Sequence, residues 1–109
     1  MEVNEITLTG ELTGIEPLRY TPAGIPLASF RLVHRSQQIE AGVRRQVECE
    51  LPGVAMAKVA LGMSGLREGQ AVRARGFLNR KNRMSAQLVL HVTAMEPGEA
   101  SGTGRRVAE

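Results

Sequence analysis

A two-residue alternation of side-chain character across residues 69–83 constrains the fold more than any other feature of this sequence. One side of the alternation holds small and apolar residues, and the other holds two arginines and an aromatic: Val72, Ala74, Gly76 and Leu78 against Arg73, Arg75 and Phe77. A period of two is typical of a β-strand with one buried face. The sequence therefore predicts a half-buried strand whose outward face is basic.

The segment that follows this strand adds further positive charge. Residues 79–83 are too polar to continue a buried strand, so we predict a loop that carries Arg80, Lys81 and Arg83. No aspartate or glutamate occurs between Glu68 and Glu96, and the five cations of strand and loop stand in that acid-free stretch. Such a surface suits a polyanion lying across a strand and a loop. The charge pattern alone does not distinguish such a binding surface from a basic hairpin that is merely solvated and binds no ligand.

Four further strands are predicted from alternation elsewhere in the chain. They cover residues 6–12, 27–35, 46–51 and 88–93. Gly10 interrupts the first of these strands and allows a bend or a bulge, which suits a small, strongly curved barrel. Pro52 is expected to end the third strand in chain order.

The connections between these strands include one helix. Prolines and glycines make residues 18–26 a turn, and the polar residues 36–45 are predicted to be a connection that turns at Gly42. Residues 54–63 form the only plausible helix in the sequence. Because Lys58 is its only cation, we expect this helix to plug the end of a barrel and not to bind DNA.

Together these elements predict a fold class. Five strands with one short helix between the third and the fourth are the order of an OB-fold, an all-β, five-stranded Greek-key barrel whose central strands and loops bind oligonucleotides. We expect this single nucleic-acid-binding domain to cover residues 1–96. Residues 97–109 show no apolar periodicity, and we expect a disordered tail there.

The charged residues are biased in a way that favours nucleic acid as a ligand. The formal net charge is only +3, but 12 of the 14 cations are arginines, and all 11 acids are glutamates. Arginine presents a planar fork that matches phosphate and stacks on bases. No segment approaches the ~20 apolar residues that cross a bilayer, and no apolar run at the amino terminus resembles a signal peptide. We expect a cytoplasmic protein without a membrane partner.

Few residues are available for catalysis or metal binding. His34, His91 and Cys49 are the only soft ligands, and they cannot close a four-ligand zinc site. One cysteine excludes an internal disulfide, and we expect a buried free thiol. A hydrolytic pair of Cys49 and His34 is conceivable, but the flanking charges of Glu48 and Glu50 disfavour the reactive thiolate. No glycine-rich phosphate loop is present. We therefore predict no catalytic residue, no metal and no cofactor.

Several strings of residues in combination resemble one known family. They are NEITLTGEL, RYTPAGIPLASFRLVHRSQQIEAGVRRQVECELPG, RGFLNRKNR and LVLHV. The chain resembles, over residues 4–95, the family of primosomal replication protein N (PriB), which is related to bacterial single-stranded DNA-binding protein (SSB). The resemblance implies a homodimer of OB-folds, paired largely through the first strands, that binds single-stranded DNA. It also implies an accessory role at stalled forks of the bacterial nucleoid, where the protein stimulates or bridges the PriA helicase and DnaT, with SSB as a further partner.

The resemblance also implies positions for DNA contacts, in the first loop, at the end of the second strand and in the basic loop. With the basic strand and the second hairpin included, the predicted set is Arg19, Arg35, Arg44, Arg73, Arg75, Phe77, Arg80, Lys81 and Arg83. Glu48 and Val43 stand where better-studied members carry aromatic residues. Each lost stacking platform costs about 1–3 kcal/mol per base. An adaptor that mainly binds proteins, with weak DNA binding, is therefore the alternative function.

Overall fold

The computed structural model describes residues 1–98 of the chain, so most of the predicted tail lies outside the described residues. Six strands and two short helical segments are present. In chain order they are β1 (Ile6–Thr13), β2 (Arg19–Tyr20), β3 (Pro26–Glu40), β4 (Val43–Met56), α1 (Ala57–Gly62) with a 3₁₀ turn at Met63–Gly65, β5 (Ala71–Arg80) and β6 (Leu88–Pro97).

The five long strands close into one barrel. The order of neighbours is β1-β5-β6-β4-β3, and a second pairing between β1 and β3 completes the ring. All of these pairs are antiparallel except β4 with β6, which run parallel at Gly53–Ala55. The single α-helix follows the third long strand and precedes the fourth. The predicted fold class, a five-stranded OB-fold barrel with one short helix, is confirmed.

Strand β1 belongs to both ends of the sheet and changes partner along its length. It pairs with β5 from Ile6 to Glu11 and with β3 from Glu11 to Thr13. Gly10 lies at this change, and a Cβ atom there would come within 2.6 Å of the carbonyl oxygen of Val33. Glycine at this position lets the backbone of β3 approach closely, which is how the barrel closes.

The predicted hairpin turn at Gly42 is present, but the predicted length of the connection, residues 36–45, is wrong. β3 and β4 pair without interruption from Leu27 opposite Met56 to Glu40 opposite Val43. Only Ala41 and Gly42 lie outside the ladder, both with positive φ (53° and 77°), as a two-residue hairpin turn of the type I′ class requires. Polar composition indicates only that a segment is exposed. A two-stranded ribbon is exposed on both faces, so its strands have the polar composition of a loop. We call residues 36–47 the arm.

Other boundaries also differ from the prediction. Asn79 and Arg80, predicted to lie in a loop, are the last two residues of β5. Pro52 does not end the third strand, because β4 continues to Met56. A proline without an N–H is tolerated there because the pairing of β4 with β6 begins only at the next residue, Gly53. The helix begins at Ala57, since Val54 and Ala55 are held in the sheet by β3 on one side and β6 on the other.

A small aliphatic core fills the barrel. Leu12, Leu32, Val72 and Leu90 are fully buried, and no polar or charged side chain is buried within residues 1–98. Ala60 of α1 and Met63 of the following turn belong to this core, so the helix plugs the barrel as predicted. Cys49, which we expected to be buried, is exposed, because it lies on β4 next to the arm and beyond the barrel core.

Candidate nucleic-acid interface

An open groove crosses the outer surface of β3, β4 and β6. The β1–β2 loop (residues 14–18) and β2 border one side, and the β5–β6 loop (residues 81–87) borders the other. The groove encloses about 710 Å³, and its lining combines charged, polar and apolar side chains, among them Arg19, Ser29, Arg31, Val54, Lys81 and His91. On an OB-fold barrel, this strand surface between these two loops is where oligonucleotides bind.

The two borders of the groove contribute cations that have no acidic partner. Arg19 donates a hydrogen bond from Nη2 to Ser29 Oγ at 3.4 Å, and Lys81 also lines the groove. Arg80 and Arg83 belong to the same segment as Lys81, and Arg80 Nη1 donates to the carbonyl of Arg83 at 3.4 Å. Within residues 1–98, no carboxylate oxygen lies within 4.0 Å of these four cations. Their charges are therefore available to phosphate.

Both loops are shaped by hydrogen bonds of their own. The carboxylate of Glu68 accepts from the backbone N–H groups of Gly14 and Ile15, at 3.1 and 2.7 Å. This clamp holds the start of the β1–β2 loop, from which Arg19 follows. In the β5–β6 loop, the N–H of Lys81 donates to the carbonyl of Gln87 at 2.8 Å and closes the loop at its base.

An aromatic pair lies beside the cations. Phe77 of β5 is directly opposite His91 of β6, and the two rings stack with centroids 5.0 Å apart and planes 5° apart. His91 lines the groove, and Phe77 is 38% exposed. A base can stack on an exposed aromatic surface of this kind whatever its identity. Our sequence analysis selected Phe77 as a DNA contact but not His91. Alternation places both side chains on the outward face of their strands, and the register of β5 with β6 then sets them opposite each other.

The arginines of β3 are paired with glutamates. Phe30 and Leu32 point into the barrel, so the odd-numbered positions of β3 and the even-numbered positions of β4 face outward. On this side, which we call the outer hairpin face, Arg31 Nε lies 2.7 Å from Glu50 Oε2. Arg35 Nε lies 2.9 Å from Glu48 Oε2, and Arg35 Nη1 lies 3.6 Å from Glu11 Oε1.

The remaining predicted residues fall in two further places. Arg44 lies on the outer hairpin face near the tip of the arm, opposite Ile39. Arg73 and Arg75 lie on another wall of the barrel, opposite Thr9 and Thr7 of β1, and do not line the groove. Arg73 Nε is 3.9 Å from Glu96 Oε1. Of the predicted residues, the structure thus places Arg19 and Lys81 in the lining of the groove. Phe77 stacks on the groove residue His91, and Arg80 and Arg83 flank Lys81 in sequence outside the lining. The structure adds Arg31 and His91 to the lining, which the sequence analysis did not select.

The residues considered for catalysis and metal binding are engaged elsewhere. His34 and Cys49 are cross-strand neighbours, but the ring nitrogens of His34 lie 2.7 Å from Thr9 O and 2.8 Å from Ser36 Oγ. Residues 1–98 contain no cluster of three or more histidine, cysteine or acidic side chains that could hold a metal ion. Across that same part of the chain, no helix has the length and apolar character needed to span a membrane.

Known proteins share both the sequence and the fold of this chain. Residues 4–94 match the model of a family described as another single-strand binding protein family. Replication restart protein PriB of Nitrosomonas europaea is 43% identical over 89 residues, which cover 82% of each chain. The chain belongs to the PriB family. The PriB of Neisseria meningitidis is 35% identical over 89 residues, 82% of this chain and 88% of that protein.

Solved structures agree with this assignment. The PriB structure from Ralstonia solanacearum matches with a TM-score of 0.82 at 32% identity, covering 90% of this chain and all of that one. A small single-stranded DNA-binding protein from Streptomyces coelicolor, at 20% identity and a TM-score of 0.72, shares the fold over 94% of this chain and 99% of that one. The resemblance to the PriB family found in the sequence is therefore confirmed.

Proposed function

We propose that this protein binds single-stranded DNA in the groove, without sequence specificity. The observation that carries the proposal is a set of four cations without acidic partners in the described residues. Arg19 of β2 and Lys81 of the β5–β6 loop line the groove, and Arg80 and Arg83 flank Lys81 in sequence. Membership of the PriB family and the match to a single-strand binding family support the same ligand.

The proposed contacts divide into phosphate and base contacts. The four loop cations bind phosphates, which position a strand but carry no sequence information. Bases stack on the pair formed by Phe77 and His91, and stacking tolerates any base. Arg35 and Arg44 lie on the outer hairpin face and contact DNA only where a strand continues from the groove along that face. Arg73 and Arg75 contact DNA only where the strand continues around the barrel beyond the groove.

We further propose that the active form is a homodimer paired through β1. Along the edge of β1 that faces away from β5, residues 6–10 have no strand partner in the described part of the chain. An exposed strand edge of this length is a template for pairing with another strand. A second copy presenting the same edge gives a closed, twofold assembly.

The proposed role is that of an accessory protein in the primosome. In this role the dimer holds DNA at a stalled fork in the bacterial cytoplasm, where it stimulates or bridges the PriA helicase and DnaT, with SSB as a further partner. No catalytic step is assigned to it. The ion-paired arginines of the outer hairpin face favour a second candidate, in which the protein is mainly an adaptor between proteins and binds DNA weakly.

Replacing the loop cations tests the proposed DNA site. Each phosphate contact on a single strand contributes about 0.7 to the slope of log affinity against log salt concentration, so Arg80→Gln, Lys81→Gln and Arg83→Gln together should flatten that slope by roughly 2 units. The loss should be equal for oligonucleotides of different sequence. Fluorescence titration of labelled oligonucleotides at several salt concentrations measures both quantities.

A matched control removes the same charge elsewhere. Lys58, Arg67 and Arg45 are exposed and lie outside the groove, so their joint replacement by glutamine should leave the slope nearly unchanged. An unchanged slope in the loop variant would reject the loop as the DNA site. Repeating the titration with PriA helicase separates the two candidate functions, because an adaptor binds the oligonucleotide tightly only when the helicase is present.

A further inference from the structure

The cations of the outer hairpin face form an interrupted line. Arg19 and Lys81 stand at the groove end and Arg44 near the tip of the arm, none of them within 4.0 Å of a carboxylate in the described residues. Between these ends, Arg31 and Arg35 are each held by a glutamate of β4. The line of positive charge is thus neutralised in its middle.

From this arrangement we infer that Glu48 and Glu50 compete with DNA phosphate for Arg35 and Arg31, and thereby confine bound DNA to the loop end of the groove. The inference rests on the proposed function. According to this inference, Glu48 and Glu50 limit the length of the DNA-binding surface. Without them, the cations would extend that surface along the arm.

The register of the hairpin places both glutamates on the path of the strand. Pro52 and Val54 line the groove, and the uninterrupted pairing of β3 with β4 puts Glu50 and Glu48 on the same side, at the next outward positions of β4. Arg31 itself lines the groove. A DNA strand that leaves the groove along this face therefore meets the two ion pairs in succession.

The geometry of each pair explains the competition. At 2.7 and 2.9 Å, the carboxylates occupy the Nε–H of each guanidinium, one of the donors with which arginine binds phosphate. The side chains of Glu50 and Glu48 are 47% and 68% exposed. Exposed pairs of this kind are weak, so phosphate can displace the carboxylate, but one anion then only replaces another. The displaced carboxylate remains nearby and repels the DNA. Arg31 and Arg35 consequently add little to affinity.

Neutralising the two glutamates tests the inference. In Glu48→Gln/Glu50→Gln, Arg31 loses its carboxylate partner and Arg35 keeps only the longer contact with Glu11, at 3.6 Å. The log–log salt slope for single-stranded DNA should therefore steepen by roughly 0.7–1.4 units, at about 0.7 for each added phosphate. Affinity should rise most at low salt, and longer oligonucleotides should gain more than the shortest one that binds. Thermal unfolding should change little, because exposed ion pairs contribute little to folding.

The arm supplies a matched control. Glu40 also pairs with an arginine of β4, Arg45, at 3.4 Å, but both lie at positions of the opposite hairpin face. Combined with Glu2→Gln at an exposed site, Glu40→Gln changes the net charge by the same amount and should leave the slope nearly unchanged. An equal steepening in both double variants, or none in Glu48→Gln/Glu50→Gln, overturns the inference.

A second comparison removes the arginines themselves. Arg31→Gln/Arg35→Gln should flatten the slope only slightly in the wild-type background, but by about 0.7–1.4 units in the Glu48→Gln/Glu50→Gln background. Equal losses in the two backgrounds contradict competition. If the wild-type protein does not bind single-stranded DNA in the presence or absence of helicase, the proposed function fails first, which distinguishes the two failures.

Discussion

At the scale of single residues, Gly76 determines where the aromatic surface lies. A Cβ atom at Gly76 would come within 1.8 Å of the carbonyl oxygen of His91, so only glycine permits this approach of β5 to β6. The register between the two strands shifts at Arg75/Gly76, immediately before Phe77. The close approach and the shift together bring the rings of Phe77 and His91 into a parallel stack beside the groove.

Replacing Phe77 by leucine should weaken DNA binding without changing its salt dependence. Leucine keeps an apolar side chain on the strand but removes the aromatic face, and the loss of base stacking should cost about 1–3 kcal/mol of binding free energy. The salt slope should stay constant because no phosphate contact is lost. The same oligonucleotide titration measures both. A flattened slope with unchanged affinity at low salt would mean that Phe77 positions the basic loop and does not contact a base.

At the scale of elements, the arm is the least supported part of the fold. It is a two-stranded ribbon whose side chains are nearly all exposed or only half-buried, and such ribbons are marginally stable without packing on a face. Its turn also places Ala41 at φ 53°, a conformation that is unfavourable for a residue with a Cβ atom. The arm nevertheless carries Arg44 and continues directly from the cross-strand pair of Arg35 and Glu48, so its order bears on how the outer hairpin face meets DNA.

Ala41→Asn should stabilise the arm. Asparagine followed by glycine is a preferred pair for a type I′ turn, and relief of the strain at residue 41 should be worth about 0.5–1 kcal/mol. Native-state hydrogen exchange of the amides of residues 37–46 should slow by roughly two- to fivefold as a result. Gly42→Ala, at φ 77°, is the opposite control and should accelerate exchange in the same segment. Equal exchange rates in all three proteins would show that the turn does not limit opening of the arm.

At the scale of the whole molecule, barrel closure leaves one long edge open. The first part of β1 pairs with β5, and its last residues pair with β3. On the side that faces away from β5, the first part of β1 therefore has no strand partner among the described residues. Thr7 and Thr9 are exposed on this strand, and His34 reaches the carbonyl of Thr9 from β3. Pairing of this edge with a second copy would place two grooves in one assembly, so that one DNA strand could be held at two sites.

Light scattering should therefore give about twice the chain mass of 11.8 kDa at micromolar concentration. Dilution should lower the mean mass only if the interface is weak. A mass of one chain at every concentration would contradict the dimer. It would not test the DNA site of the single barrel, which the oligonucleotide titrations test.

The local features of this protein can be read from its amino-acid sequence. Alternation predicted that Phe30 and Leu32 point inward and that Arg31 and Arg35 point outward, because side-chain direction in a strand depends only on position parity. The strand order and the plugging helix followed from the same patterns and from turn residues. The basic segment with Arg80, Lys81 and Arg83 was predictable because its charge and polarity do not depend on distant residues, although Arg80 belongs to β5 and not to the loop.

Which distant residues come into contact depends on strand pairing and barrel closure. The arm and the continuation of β4 past Pro52 depend on the neighbouring strand, since backbone hydrogen bonds to a partner, and not composition, set the length of a ladder. Arg19 and Lys81 border one groove only because the closed barrel brings their loops together. The pairing of Arg35 with Glu48 depends on the register of the β3–β4 hairpin. The stack of Phe77 on His91 likewise depends on the register of β5 with β6. Contacts between residues far apart in sequence are fixed by strand pairing and closure, for which no local pattern carries the information.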